Sequence, residues 1–224
     1  MIVTTIYALL FYLAAASFFG GIFYKLLLYA RTPQSFKIPT TPAPITRVGV
    51  GWRLFKETVF FESLFKANKW LWFFGWIFHA ALIGALIHHL GVFFDGVYTP
   101  PDVLVNGALL IGLAGLWARR FLIDRIRYIS ALSDHLMLAL LAGIVITGVG
   151  MRYLDYPSIV EVKQFFLGLL YLHWKPLPAQ PLLLAHLALV ALLMMIFPIS
   201  KLMHAPGLFF SPTRNQPDNA REKI

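Results

Sequence analysis

The sequence predicts an all-α integral membrane protein, five transmembrane helices in a bundle with the amino terminus outside, on the periplasmic face, and the carboxyl terminus cytoplasmic. Three observations carry this. Five apolar runs alternate with polar stretches, the basic residues collect in every second stretch, and four of the seven histidines fall as two pairs on two of the runs. The chain is 59% hydrophobic and 13% charged, with a mean hydropathy of +0.72, far from the composition of a soluble domain. It has no cysteine. That excludes a cysteine-ligated iron–sulfur cluster, covalent heme attachment and disulfides within the chain, so cluster chemistry would have to belong to a partner. The pI near 9.9 does not indicate a nucleic-acid partner, because the basic residues lie between apolar segments rather than along one soluble face.

Residues 1–210 form the predicted membrane domain, with spans at about 3–28, 70–94, 102–121, 133–152 and 179–203, and residues 211–224 form a cytoplasmic tail. The first run, closed by Lys25 and Arg31, lacks a basic leading segment and a small-residue cleavage motif, so it reads as a retained anchor. The second and fifth runs exceed the length a bilayer requires. The third, between Asp102 and Arg119, and the fourth, between Asp134 and Arg152, are shorter and span if their terminal arginines snorkel to the interface.

Charge placement tests the count. Arg31 to Lys69 holds seven Lys and Arg, Arg119 to Asp134 four, and Lys201 to Ile224 four; with Lys25 these make sixteen of the nineteen. With five spans all of them fall on one side, and positive charge stays cytoplasmic. An even number of spans would spoil the segregation.

Two stretches between the runs have their own character. Trp52 to Trp70 mixes bulky apolar residues with Arg53, Lys56, Glu57, Glu62, Lys66 and Lys69, as a helix lying in the membrane interface or docking a soluble subunit would. The outer stretch Pro157 to Lys175 contains an apolar run too short to cross, suited to capping the outer mouth of the bundle. Thr32 to Pro44, with four prolines, reads as an extended connector.

An imidazole inside hydrocarbon is costly unless something uses it. On the second span His79 lies toward the inner half and His89 near the outer end; on the antiparallel fifth, His186 is outer and His204 inner. Pairing by depth joins His89 with His186 and His79 with His204, enough axial nitrogens for two b-type hemes. The eighteen residues from His186 to His204 are five full helical turns, returning to one face, and ten residues leave His79 and His89 about 80° apart, closer than His88 would be. The two gaps differ in rise, about 15 and 27 Å, and Pro198 can bend or end the fifth helix between its histidines. A single intramembrane histidine is as well explained by a hydrogen bond to a neighbouring helix, and a histidine-lined proton or metal transporter is the competing class.

Five spans, an outward amino terminus and histidines ten apart on the second span and eighteen apart on the fifth resemble the gamma, cytochrome b subunit of respiratory nitrate reductase. The segment Phe197-Pro198-Ile199-Ser200-Lys201-Leu202-Met203-His204 is similar to that family's ending of the fifth helix. The tail Ser211-Pro212-Thr213-Arg214-Asn215-Gln216 is more similar to the DsrM-like branch, the membrane subunit of the dissimilatory sulfite reductase associated complex. The resemblance implies a subunit with two heme b, an outer one on His89 and His186 and an inner one on His79 and His204. It implies quinone or quinol (menaquinone or ubiquinone) reacting near the outer heme, and electrons passing to a cytoplasmic iron–sulfur subunit like that of heterodisulfide reductases. Such a chain is the quinol-oxidising or quinone-reducing part of a multi-subunit oxidoreductase in the cytoplasmic (inner) membrane, in contact with lipid and the quinone pool.

The remaining polar residues are weaker candidates. Arg152 is basic on the outer side, where the charge rule does not ask for it, which suits a heme propionate or a quinone. Arg119, Arg120 and Lys201 have suitable positions inside, though interfacial anchoring explains them. Asp95 and Asp155 stand where quinol protons could be accepted. His88 and His135 are explained by interface and helix start, and His173 by an outer loop.

Overall fold

In a computed structural model of the chain, residues 1–33, 36, 38–94, 96–97 and 101–218 are described. Among them the regular structure is entirely helical: α1 (Ile2–Arg31), α2 (Arg47–Val59), α3 (Glu62–Ala67), α4 (Lys69–Phe93), α5 (Asp102–Leu122), α6 (Asp124–Ile129), α7 (Leu132–Tyr153), α8 (Ile159–Leu170), α9 (Pro181–Ile196), α10 (His204–Gly207) and α11 (Pro212–Asn215). Five helices among the described residues, α1, α4, α5, α7 and α9 with its following turn, are long and apolar enough to cross a membrane. This is the expected all-α, five-span class. The chain forms two compact units, one of Met1–Leu13 with Trp70–Leu193, the other of the described residues of Ala14–Lys69 and Met194–Ile224.

In the first unit the core lies where α4 meets α5. Phe78 and Ala81 pack on Leu109 and Leu113, with Leu138, Leu141 and Val145 of α7 against them. Glycine makes the approach possible, since a Cβ on Gly112 would stand 2.7 Å from Phe78 Cβ and 2.9 Å from its Cα. Small residues at such crossings let backbones approach in a medium that gives helices no hydrophobic drive to associate. The outward faces stay apolar: Leu9, Leu86 and Ile146 are each more than half exposed, as lipid-facing side chains are. Asp134, only 6% exposed, accepts a hydrogen bond from Ala131 N–H at 3.1 Å and pairs with Arg120 at 3.3 Å, tying the start of α7 to the end of α5.

The stretch from Pro157 to Lys175 contains α8, whose first turn is capped by Ser158 Oγ accepting from Glu161 N–H. Fully buried Phe165 anchors it. Tyr12 of α1 donates to Leu169 O at 2.9 Å, and Phe11 meets the Phe166 ring edge-on at 5.1 Å.

In the second unit, Thr46 Oγ1 caps α2 by accepting from Gly49 N–H at 3.1 Å. Val48, Trp52, Phe55 and Val59 of α2 recur at helical spacing and are all exposed. The tail folds back on the connector: Thr40 N–H donates to Thr213 O at 2.9 Å, and the Gln216 amide bonds Ile38 N–H and Phe36 O. Where the sequence predicts one helix over 179–203, the α-helix ends at Ile196 and continues as 3-10 turns, Phe197–Ile199 and Lys201–Met203. Pro198 has no N–H to continue the ladder. Ser200 is extended, and its hydroxyl accepts from Leu202 N–H while donating to Phe197 O.

Candidate functional site

A lone pair on an imidazole nitrogen is available to iron only if the other nitrogen carries the proton, and the hydrogen bond made there sets which one does. Four histidines share one arrangement. The Nδ1 atoms of His79, His89 and His204 lie 2.7, 2.7 and 2.9 Å from the carbonyl oxygens of Gly75, Ala85 and Lys201, and His186 Nδ1 lies 3.0 Å from Ile144 O. A carbonyl only accepts, so each Nδ1 bears the proton and each Nε2 the lone pair. His135 differs: its Nδ1 faces the donor Trp117 Nε1–H at 3.1 Å. His88 Nδ1 is 3.1 Å from Asp102 Oδ1, outside hydrogen-bond geometry. The four that share the carbonyl arrangement are the four the sequence pairs.

His89 and His186 come together within the first unit. The His89 and His186 rings are 6° from parallel, with centroids 6.2 Å apart. An imidazole nitrogen bonds a transition metal at about 2 Å and lies about 1 Å from its ring centre, so two imidazoles on opposite sides of one iron place their centroids about 6 Å apart. The observed pair has that separation. Among the described residues no three His, Cys, Asp or Glu converge on an ion. A two-nitrogen site therefore suits a metal that brings its other donors with it, as a porphyrin-bound iron does.

The rings border a cavity of about 350 Å³ whose wall is mainly apolar, with Phe11, Val105, Phe166 and Leu187 among its lining. Its polar lining gathers near His88. Asp102, at the first turn of α5, has Oδ1 toward His88 and Oδ2 3.6 Å from Arg152 Nε, and the Arg152 guanidinium sits over the Tyr156 ring at 5.6 Å. Arg152 thus borders the same cavity as His89 and His186. Asp155 accepts from Gln180 Nε2 at 3.2 Å, and Asp95 lies outside the described residues.

His79 belongs to the first unit and His204 to the second. Beside His204 a cavity of about 400 Å³ is lined by Tyr29, Thr32, Ser200, Lys201 and Phe210. Arg120 is engaged with Asp134 and with Ser130 Oγ at 2.9 Å, which suits a structural role.

Two residues escaped sequence reasoning. Asp102 looks like an ordinary acidic helix start, and nothing in its neighbours marks it. Thr147, whose Oγ1 is 3.0 Å from His186 Nδ1, carried a signal in being a polar side chain inside an apolar span.

Residues 101–214 match the family described as nitrate reductase gamma subunit. The chain is 32% identical over 263 aligned positions to the Hdr-like menaquinol oxidoreductase cytochrome b-like subunit of Archaeoglobus fulgidus, covering 95% of this chain and 79% of the relative. It is 31% identical to the protein of the same description from Archaeoglobus profundus, with the same coverage. No solved structure matches.

Proposed function

Since the chain belongs to the nitrate reductase gamma subunit family of multi-pass membrane cytochrome b subunits, we propose that it is a membrane-anchoring diheme cytochrome b. It exchanges electrons between the quinone pool, with quinol oxidation near the outer heme, and a cytoplasmic iron–sulfur subunit. The observation that carries this is the His89–His186 pair, parallel at 6.2 Å, with both Nδ1 atoms committed to carbonyls. His79 and His204 are assigned the inner iron on their depth in the sequence and on the Nδ1 partner each has within its own unit.

Bound heme supplies one-electron chemistry in a medium that ions cannot enter. The residues of this chain do the rest. His89 and His186 would hold the heme iron through their Nε2 atoms, beside a mainly apolar wall. Arg152 offers a cation to a propionate or a quinone oxygen. Asp102, held between Arg152 and His88, gives a quinol hydroxyl an acceptor. The Hdr-like description of both relatives supports a heterodisulfide-reductase-like partner of sulfur metabolism, a DsrMK-like arrangement, over a nitrate-reducing one, and their menaquinol oxidoreductase description supports menaquinol as the quinol.

The test is the pyridine hemochrome assay on purified, folded protein, with a reduced-minus-oxidised spectrum. Two hemes b per chain are expected, falling to one in His186→Ala. A ratio near zero in folded protein overturns the assignment, and copurification of an iron–sulfur subunit tests the partner.

A further inference from the structure

The two imidazoles of the outer pair are held differently. His89 Nδ1–H donates along its own helix to Ala85 O at 2.7 Å, an arrangement that any α4 sequence would supply. His186 Nδ1–H reaches across from α9 to α7, where it lies 3.0 Å from Ile144 O and 3.0 Å from Thr147 Oγ1. The Thr147 hydroxyl has a single proton, and that proton is committed to its own helix: Oγ1 lies 2.8 Å from Gly143 O and 3.0 Å from Ile144 O. A β-branched residue bonded back in this way has little freedom at χ1. Its lone pairs therefore face His186, which is 7% exposed.

We propose that Thr147 is a positioning residue for the outer heme: its hydroxyl orients the His186 ring across the α7–α9 contact and, by accepting from Nδ1–H, strengthens Nε2 as an iron ligand and lowers that heme's reduction potential. The physical basis is that an acceptor on the outer nitrogen of a ligating imidazole raises ligand basicity, which favours the oxidised, more positive iron. A hydroxyl dipole beside a buried site acts in the same direction. Of the two imidazoles, the one on α9 would thus carry the tuning, because at His186 a side-chain hydroxyl shares Nδ1–H with the Ile144 carbonyl.

The inference rests on the heme assignment above, and its test separates the two. Thr147→Val keeps the shape and removes the hydroxyl while leaving the Ile144 carbonyl in place; Thr147→Ser keeps the hydroxyl. Both variants and the parent are purified as full-length protein, assayed for heme by pyridine hemochrome, and titrated electrochemically while low-spin heme signals are followed by electron paramagnetic resonance. The expected result is that the valine variant retains heme, one of its two midpoints moves upward with a changed signal for that heme, the other stays in place, and the serine variant matches the parent. Loss of one heme in the valine variant but not in the serine variant also supports the role, through the orienting half of it. Midpoints and signals unchanged in the valine variant overturn it. Equal shifts, or equal heme loss, in both variants overturn it as well, because packing and not the hydroxyl would be the cause. A parent without heme defeats the underlying assignment, and the role of Thr147 with it.

Discussion

Arg214 Nη1 lies 2.7 Å from Glu57 Oε1, joining the tail to α2 across most of the length of the chain. The same nitrogen donates to Ser63 Oγ at 2.6 Å, and Ser63 donates to Glu57, so tail, α2 and the start of α3 share one polar knot. The Glu57 side chain is only 10% exposed, so removing its cation strands a poorly solvated carboxylate. Arg214→Ala is expected to destabilise the tail by about 2 kcal/mol, between the values for exposed and buried pairs. Faster chymotryptic release of the tail with unchanged heme content would show it; equal cleavage rates in parent and variant would contradict it.

The close crossing of α4 and α5 gives a second prediction. A Cβ on Gly112 meets the Phe78 Cβ and backbone, which are fixed by α4, whereas the nearest atoms to one on Gly115 belong to the Phe74 ring. Gly112→Ala should cost about 1–3 kcal/mol of overpacking, and Gly115→Ala less, because the Phe74 ring can swing away about χ1 whereas Phe78 Cα and Cβ move only with the α4 backbone. Thermal unfolding of both variants in one detergent gives the order, and the reverse order would refute this account of the contact.

Arg152 and Asp102 bear on the quinol step. Under the proposed function, Arg152→Gln removes the cation at the cavity while leaving His89 and His186 in place, so quinol affinity should fall about tenfold, the worth of one charge-assisted hydrogen bond, with the heme content of the parent. Quinol-dependent heme reduction in vesicles reads this out. Normal affinity in the variant would remove Arg152 from the quinone site and leave it a propionate partner or an anchor.

Glu62 makes the region before α4 sensitive to acid. Hydrogen bonds from Lys56 and then Lys66 lower its carboxyl to about 2, and both lysine nitrogens stand 2.7 Å away. A carboxyl depressed on folding contributes stability that is complete above its unfolded value, about 4.3, and is lost as pH falls through about 2. The group is largely solvated, so the contribution is about 0.5 kcal/mol at most. Stability of the parent relative to Glu62→Gln should be flat above pH 5, shrink below about pH 4 and vanish only below about pH 2; a difference that stays undiminished down to pH 2 would exclude the pairing as its cause.

Much of this was legible in the sequence because a bilayer imposes few and strict rules. Backbone groups in hydrocarbon must be satisfied within a helix, so apolar runs such as Leu71 to Phe94 could be little else. Four histidines in such runs stood out because burying an imidazole there is costly. The break at Pro198 was legible as a possibility but not as an outcome, since proline can either bend or end a helix and the Ser200 hydroxyl bonds to Phe197 and Leu202 close the turn here.

The sequence by itself determined the helical class, the number of spans and which four imidazoles merit attention, because length, hydropathy and the cost of buried polarity are local properties of a chain. Only the tertiary structure decided that the His89 and His186 rings lie parallel at 6.2 Å, that Thr147 reaches His186 from another helix, and that Asp102 stands between His88 and Arg152. Those relationships depend on how helices cross and rotate, which is set by packing at contacts such as Gly112 on Phe78 between residues distant in the chain.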